Sequence, residues 1–198
     1  MLTVENLKRL GMPAITLSLD AGACLAVMGP SGSGKTLLLR AIADLDPSEG
    51  VVAFNGQNKA EVPAPEWRRK IAYIAAEPGW WADTPSEHFR DWSTAQPLLE
   101  ALLLPADIGN APITRLSTGE RQRLALIRSL AGNPKVLLLD EPTGPLDAAS
   151  TQAVETLLNQ RMKEGTAVLL STHDAAQASR LADNTLKLAN GAAEVVAA

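Results

Sequence analysis

The sequence predicts an α/β fold: a mixed, mainly parallel sheet, a small N-terminal antiparallel β layer and a helical insert. Three observations predict it. Four short apolar runs (residues 24–28, 71–75, 136–139 and 167–170) have the length and unbroken apolarity of strands buried on both faces. Helical periodicity fills the segments between them, the alternation expected of an α/β architecture. The N-terminal part instead carries short strand patterns separated by turn residues.

In chain order, residues 2–7, 15–19 and 51–54 read as the antiparallel layer, with turns at Gly11, Gly22 and Asn55-Gly56. A helix over 35–43 places Leu38, Leu39 and Ile42 on one face. A second, over 118–131, does the same with Leu124, Ile127 and Leu130. A third, over 148–162, carries Val154, Leu157 and Leu158 and has Gly165 just beyond it as a stop signal. Residues 77–115 differ in kind. They hold Trp80, Trp81, Phe89 and Trp92, and Pro97 is suited to open a helix running to Leu104. This segment reads as a compact helical subdomain inserted into a core of residues 1–76 and 116–198, the whole forming one domain. His88 lies in a polar stretch and reads as a solvated surface residue. The Ala-rich tail after Gly191 reads as a final strand with a frayed end.

Composition narrows the function. A net charge of -4 argues against general nucleic-acid binding, though a nest of backbone N–H groups binds phosphate regardless of net charge. The single cysteine, Cys24, excludes an intrachain disulfide and fits a reducing cytosol; its apolar setting makes it a buried strand residue. The N-terminus shows no basic start followed by an apolar core, so no signal peptide is read. No run approaches the roughly 18 apolar residues of a membrane span. The greasiest stretch, 98–104, is interrupted by Glu100 and stopped by Pro105. Work at a membrane would need another chain to supply the pore.

Each apolar run is followed by residues suited to chemistry, and ligands of open parallel sheets bind beyond the carboxyl ends of the strands. The first such loop is Gly29-Pro30-Ser31-Gly32-Ser33-Gly34-Lys35-Thr36, a G-x-x-x-x-G-K-[ST] phosphate loop between a strand and a helix. Its glycines let backbone N–H groups face phosphate oxygens, and the helix start adds partial positive charge. Lys35 is placed to bridge β- and γ-phosphates and Thr36 to coordinate Mg2+. The core is therefore that of a P-loop NTPase. The third run ends in Asp140-Glu141. Asp140 suits Mg2+, and Glu141 suits the proton of an attacking water.

A phosphate loop alone names no family, but the other motifs do. Leu116-Ser117-Thr118-Gly119-Glu120 resembles the signature of ATP-binding cassette (ABC) proteins, usually written LSGGQ. In it Ser117 offers a hydroxyl and an N-cap, and Gly119 close backbone approach to a γ-phosphate. Gly144-Pro145-Leu146-Asp147 resembles that family's D-loop, and Ser171-Thr172-His173-Asp174 its switch-histidine segment. The resemblance spans nearly the whole chain. It implies ATP and Mg2+ as ligands. Catalytic roles fall to Lys35, Glu141 and His173, and Ser117, Gly119 and Asp147 join the nucleotide site. It also implies a head-to-tail homodimer, each ATP held between one subunit's phosphate loop and the other's signature. Closure on ATP would drive a separately encoded permease, with this subunit cytoplasmic and peripheral on the inner face of the cell membrane. Two other classes compete: an ATP-driven clamp with little turnover, and a soluble cassette of translation or DNA repair. The latter lacks its usual second cassette or long coiled coil here.

The sequence departs from the family at three places. Ala76 stands where the family carries a glutamine that touches Mg2+ and water, with Glu77 one position on as a substitute. The first fifty residues hold no Phe, Tyr or Trp to stack on adenine, leaving Leu10 or Met12 and implying weak base selectivity. Thr118 and Glu120 replace signature residues, while Ser117 and Gly119 are kept. The tryptophans have two readings: the insert's own core, or, for Trp80 and Trp81, anchors for the membrane partner.

Overall fold

The computed structural model describes residues 1–189 and 192–197. Strands β1 (Leu2–Arg9), β2 (Met12–Leu19), β4 (Glu49–Phe54) and β5 (Gln57–Asn58) form an antiparallel sheet in the order β2-β1-β4-β5. Strands β3 (Cys24–Met28), β6 (Ile71–Ile74), β7 (Val136–Asp140), β8 (Ala167–Ser171), β9 (Asn184–Ala189) and β10 (Ala192–Ala197) form the main sheet, ordered β10-β9-β3-β8-β7-β6. All its pairings are parallel except that of β10 with β9. Helices α1 (Lys35–Ile42), α2 (Ala64–Lys70), α3 (Gln96–Leu99), α4 (Thr118–Leu130), α5 (Ala148–Lys163) and α6 (Ala175–Leu181) connect them.

Period-two alternation splits the central strands between two cores. Leu25, Val27, Leu138 and Leu169 face one cluster, shared with α1, the antiparallel sheet and Trp67 of α2. Leu137, Leu139, Val168 and Leu170 face the other, built with α4, α5 and residues of the insert. Burial on both faces is why these strands are continuous apolar runs. The register aligns their carboxyl ends: Val27 pairs with Ser171, Asp140 with Ser171, and Ile74 with Leu139.

Cys24 is buried in β3, and burial pushes its thiol up to about 12, so it is inert at neutral pH. The expected final strand is present as β10; the frayed end assigned to the tail falls at Ala198, outside the described residues. Strand β9 was not anticipated. Its sequence alternates buried Leu186 and Leu188 with exposed Lys187, so it shows no apolar run.

Two further expectations are corrected in the insert. The helix expected from Pro97 to Leu104 is a single turn, α3, followed by a 3-10 turn over Glu100–Leu102. Leu103 then takes a left-handed φ of 54°, with Leu103 N–H bonded to Glu100 O and Leu104 N–H to Leu99 O. Pro105 disfavours helix in the residue before it, and this reversal turns Leu102 and Leu104 both inward. His88 is buried, not solvated. Its Nε2 accepts N–H bonds from Trp81 (2.9 Å) and Ala82 (3.0 Å), which leaves Nδ1 to donate to Thr84 O at 3.0 Å. The Trp80 and Trp81 rings meet its ring edge-on at 4.8 and 4.6 Å. Polar neighbours in sequence thus disguise a loop pinned around one imidazole. Phe89 and Trp92 pack edge-to-face at 4.8 Å against the second core, while Trp81 is 75% exposed.

Candidate active site

The loop between β3 and α1 wraps around the start of α1. Its first residue must be glycine: a Cβ on Gly29 would stand 2.2 Å from Leu188 O and 2.6 Å from Ser33 Oγ. At the loop's end Gly34 takes a φ of 100°, a conformation costly for any side chain, and hands the chain directly to the helix. Lys35 is 8% exposed, and its Nζ donates to Gly29 O at 2.9 Å and Pro30 O at 3.2 Å. Ser33 Oγ is buried with no hydrogen-bond partner among the described residues. A buried ammonium and an orphaned hydroxyl within a glycine cradle are chemically matched to a phosphate oxyanion.

Asp140 closes the floor. It is 4% exposed and accepts three hydroxyl bonds: Thr36 Oγ1 to Oδ2 at 2.7 Å, Tyr73 to Oδ2 at 3.2 Å, and Ser171 to Oδ1 at 2.9 Å. None of the three donors carries charge, so this buried carboxylate is suited to a cation. The 2.7 Å between Thr36 Oγ1 and Asp140 Oδ2 is close to the about 2.9 Å separating adjacent oxygens on an octahedral Mg2+. The donor set therefore fits that ion.

Glu141 follows with a φ of 46°, a strained angle for glutamate that turns its side chain out of the strand's path. Its N–H is held by Ser171 O at 3.0 Å. Glu141 Oε2 stands 3.4 Å from Nδ1 of His173, whose side chain is 71% exposed. One cavity of about 520 Å³ is lined by Gly29, Pro30, Ser31, Gly32, Gly34, Lys35, Thr36, Glu141 and His173.

Ser117, Gly119 and Asp147 line no part of that cavity. They form a second surface. Ser117 caps α4 in a reciprocal box with Glu120, whose carboxyl is held below its usual range by the Ser117 hydroxyl and N–H. Gly119 abuts the D-loop: a Cβ there would be 3.1 Å from Leu146. Asp147 caps α5, accepting from Ser150 N–H at 2.8 Å and Ser150 Oγ at 3.0 Å; these bonds hold its carboxyl low. Arg123 of α4 donates to the same Ser150 Oγ at 2.7 Å, tying the two caps together.

Leu10 projects at the β1–β2 hairpin tip, 97% exposed, and Met12 and Pro13 share a hollow with Pro30, Ser31, Gly32 and Ser33. Ala76 and Glu77 line no part of the phosphate-loop cavity. Two site neighbours escaped the sequence reading. Tyr73 carries the only hydroxyl in the run 71–75, and that polar atom was its one signal. Gln122, 2% exposed, donates from Nε2 to Ala75 O at 3.3 Å, and nothing in its helix position announces this.

The family model described as ABC transporter matches residues 12–144. A phosphate import ATP-binding protein of Natronomonas pharaonis is 32% identical, over 91% of this chain and 72% of its own length. A probable iron export ATP-binding protein of Escherichia coli is 37% identical, over 81% of this chain and 76% of its own. A solved dimeric ATP-binding cassette in a post-hydrolysis state, bound to ADP and Pi, superposes with a TM-score of 0.87 at 25% identity, covering 100% of this chain and 98% of that one.

Proposed function

This chain belongs to the ABC transporter family, and on that premise we propose that it binds and hydrolyses Mg-ATP as one half of a head-to-tail homodimer that powers a separately encoded permease. The observation that carries the reading is the single cavity where the phosphate loop, Glu141 and His173 meet above the Thr36–Asp140 pair. Lys35 and the backbone N–H groups of the loop hold the β- and γ-phosphates. Thr36 and Asp140 would hold Mg2+, which when bound would supply charge neutralisation for the phosphates. Glu141 accepts a proton from the attacking water, and His173, 3.4 Å away, orients that carboxylate and reaches toward the γ-phosphate.

A lone chain leaves this site open on one side, while Ser117 and Gly119 form a second surface at the start of α4. Because Ser117 and Gly119 lie outside the phosphate-loop cavity of their own chain, two copies related by a two-fold axis would place each such surface over the other's cavity, making both sites at once. Asp147, capping α5 beside Gly119, sits where this contact would report on the other site. Residues 77–115 act as the subdomain facing the permease, with exposed Trp81 as an anchor. Among the described residues no helix is long and apolar enough to cross a membrane, which suits a peripheral subunit on the cytoplasmic face.

Glu141→Gln protein is expected to dimerise on Mg-ATP by light scattering and to retain a multi-span protein from detergent-solubilised native membranes. Lys35→Ala is expected to do neither. A Glu141→Gln protein that binds ATP and stays monomeric would sink the dimer, and capture of soluble partners alone would sink the permease.

A further inference from the structure

Strand β6 is the edge of the main sheet, bonded among the described residues only to β7. It leads into the loop 75–81, which ends at exposed Trp81. Besides His88, which holds the Trp81 N–H within residues 77–115, three side chains among the described residues tie this strand and loop to α4 and to Asp140. Gln122 Nε2 donates to Ala75 O at 3.3 Å. Arg128 Nη1 donates to Gly79 O at 3.2 Å, and its guanidinium lies 4.6 Å from the Trp80 ring centre and 5.0 Å from that of Trp81. Both residues belong to α4, the helix that Ser117 opens. The third is Tyr73, whose hydroxyl donates to Asp140 Oδ2 at 3.2 Å. Ala76 has no polar atom in its side chain to add a fourth.

The Tyr73 bond differs from the other two because its acceptor is shared. Asp140 Oδ2 receives Thr36 and Tyr73 together. Any reorganisation of the Thr36–Asp140 pair therefore changes what Tyr73 holds.

We propose that Tyr73 is a positioning residue that fixes the Asp140 carboxylate for its cation and carries the state of that carboxylate to the loop 75–81 and Trp81. This rests on the nucleotide reading above. The link is short, running along β6 from Tyr73 to Ala75, and then through the loop strapped to α4. Because α4 also presents Ser117 and Gly119, the same loop stands between both halves of the composite site and the exposed indole.

Tyr73→Phe tests this, since it removes the hydroxyl and keeps the half-buried ring. Three quantities are read: thermal stability, Mg2+ titration of ATP binding, and acrylamide quenching of tryptophan fluorescence, weighted toward exposed Trp81. The variant should fold and bind ATP in EDTA as the parent does. It should need about tenfold more Mg2+ for half-saturation, the worth of one hydrogen bond to a charged acceptor. At Mg2+ levels saturating for each protein, the change in quenching on Mg-ATP binding should be present in the parent and lost in the variant. An unchanged Mg2+ requirement overturns the proposal. So does a quenching response that survives in the variant or is missing from the parent. Lys35→Ala separates the two levels. If it too binds ATP normally, the nucleotide site itself is misassigned; if it loses ATP while Tyr73→Phe behaves as the parent, the Tyr73 proposal alone fails.

Discussion

Gly29→Ala should damage nucleotide binding through a clash that the fold cannot absorb. The added Cβ would lie 2.2 Å from Leu188 O and 2.6 Å from Ser33 Oγ, against an ordinary contact of about 3.4 Å or more. Ser33 can rotate its hydroxyl away. Leu188 cannot retreat, because its strand is paired to β3 on one side and β10 on the other. The loop must therefore move outward by roughly 1 Å, at about 1–3 kcal/mol of overpacking strain. That displacement carries Gly29 O with it, and Gly29 O is one of the two carbonyls seating the Lys35 ammonium at 2.9 and 3.2 Å. A misplacement of this size costs about a hundredfold in turnover where geometry decides the rate, and we expect ATP affinity to fall at least about tenfold. Gly56→Ala is the control. Gly56 has a φ of 80° but nothing within 4 Å of its added Cβ, so it stores strain far from the loop. Calorimetric ATP titration beside urea denaturation reads both effects. If Gly29→Ala binds ATP within about twofold of the parent, the steric argument is wrong.

Two further expectations follow from the same geometry. Asp46 is clamped by Arg9 and Arg40; the Arg40 hydrogen bond leads in holding its carboxyl below the ordinary 3.8. A depressed folded value means that its stabilisation is present above about pH 4 and fades as pH falls through that value, so Asp46→Asn should cost about 1 kcal/mol between pH 5 and 7, with the gap closing below pH 4. Urea denaturation across pH would refute this if the gap stayed constant. Near the hairpin, Leu10, Met12 and Pro13 offer apolar surface and no side-chain donor to read a base edge. GTP should therefore compete with ATP at affinities within about tenfold, and a preference for ATP beyond about a hundredfold would show a base contact that this chain's hairpin does not supply.

The parts of this fold legible in the sequence are those in which one residue's surroundings are set by its neighbours in the chain. Strands β3, β7 and β8 are buried on both faces, so they announce themselves as apolar runs, and the Ser117–Glu120 box closes within one helical turn. His88 failed because its partners are backbone N–H groups, which every sequence possesses. Leu103 failed because a left-handed leucine follows from Leu102 and Leu104 both needing burial, a packing demand with no local signature. The floor of the candidate site shows the limit most sharply. That a carboxylate, Asp140, closes the buried strand β7 is readable from the apolar run that leads into it. Its three hydroxyl donors, Thr36, Tyr73 and Ser171, come from three separate segments. Register assembles two of them, since Asp140 faces Ser171 across one neighbour and Tyr73 faces Leu138 across the other, while Thr36 arrives from the first turn of α1. A shift of one residue in either pairing would turn the hydroxyl to the opposite face of the sheet and leave the buried carboxylate short of a donor. The apolar residues that fix that register are therefore as much a condition of the site's chemistry as the polar ones that line it.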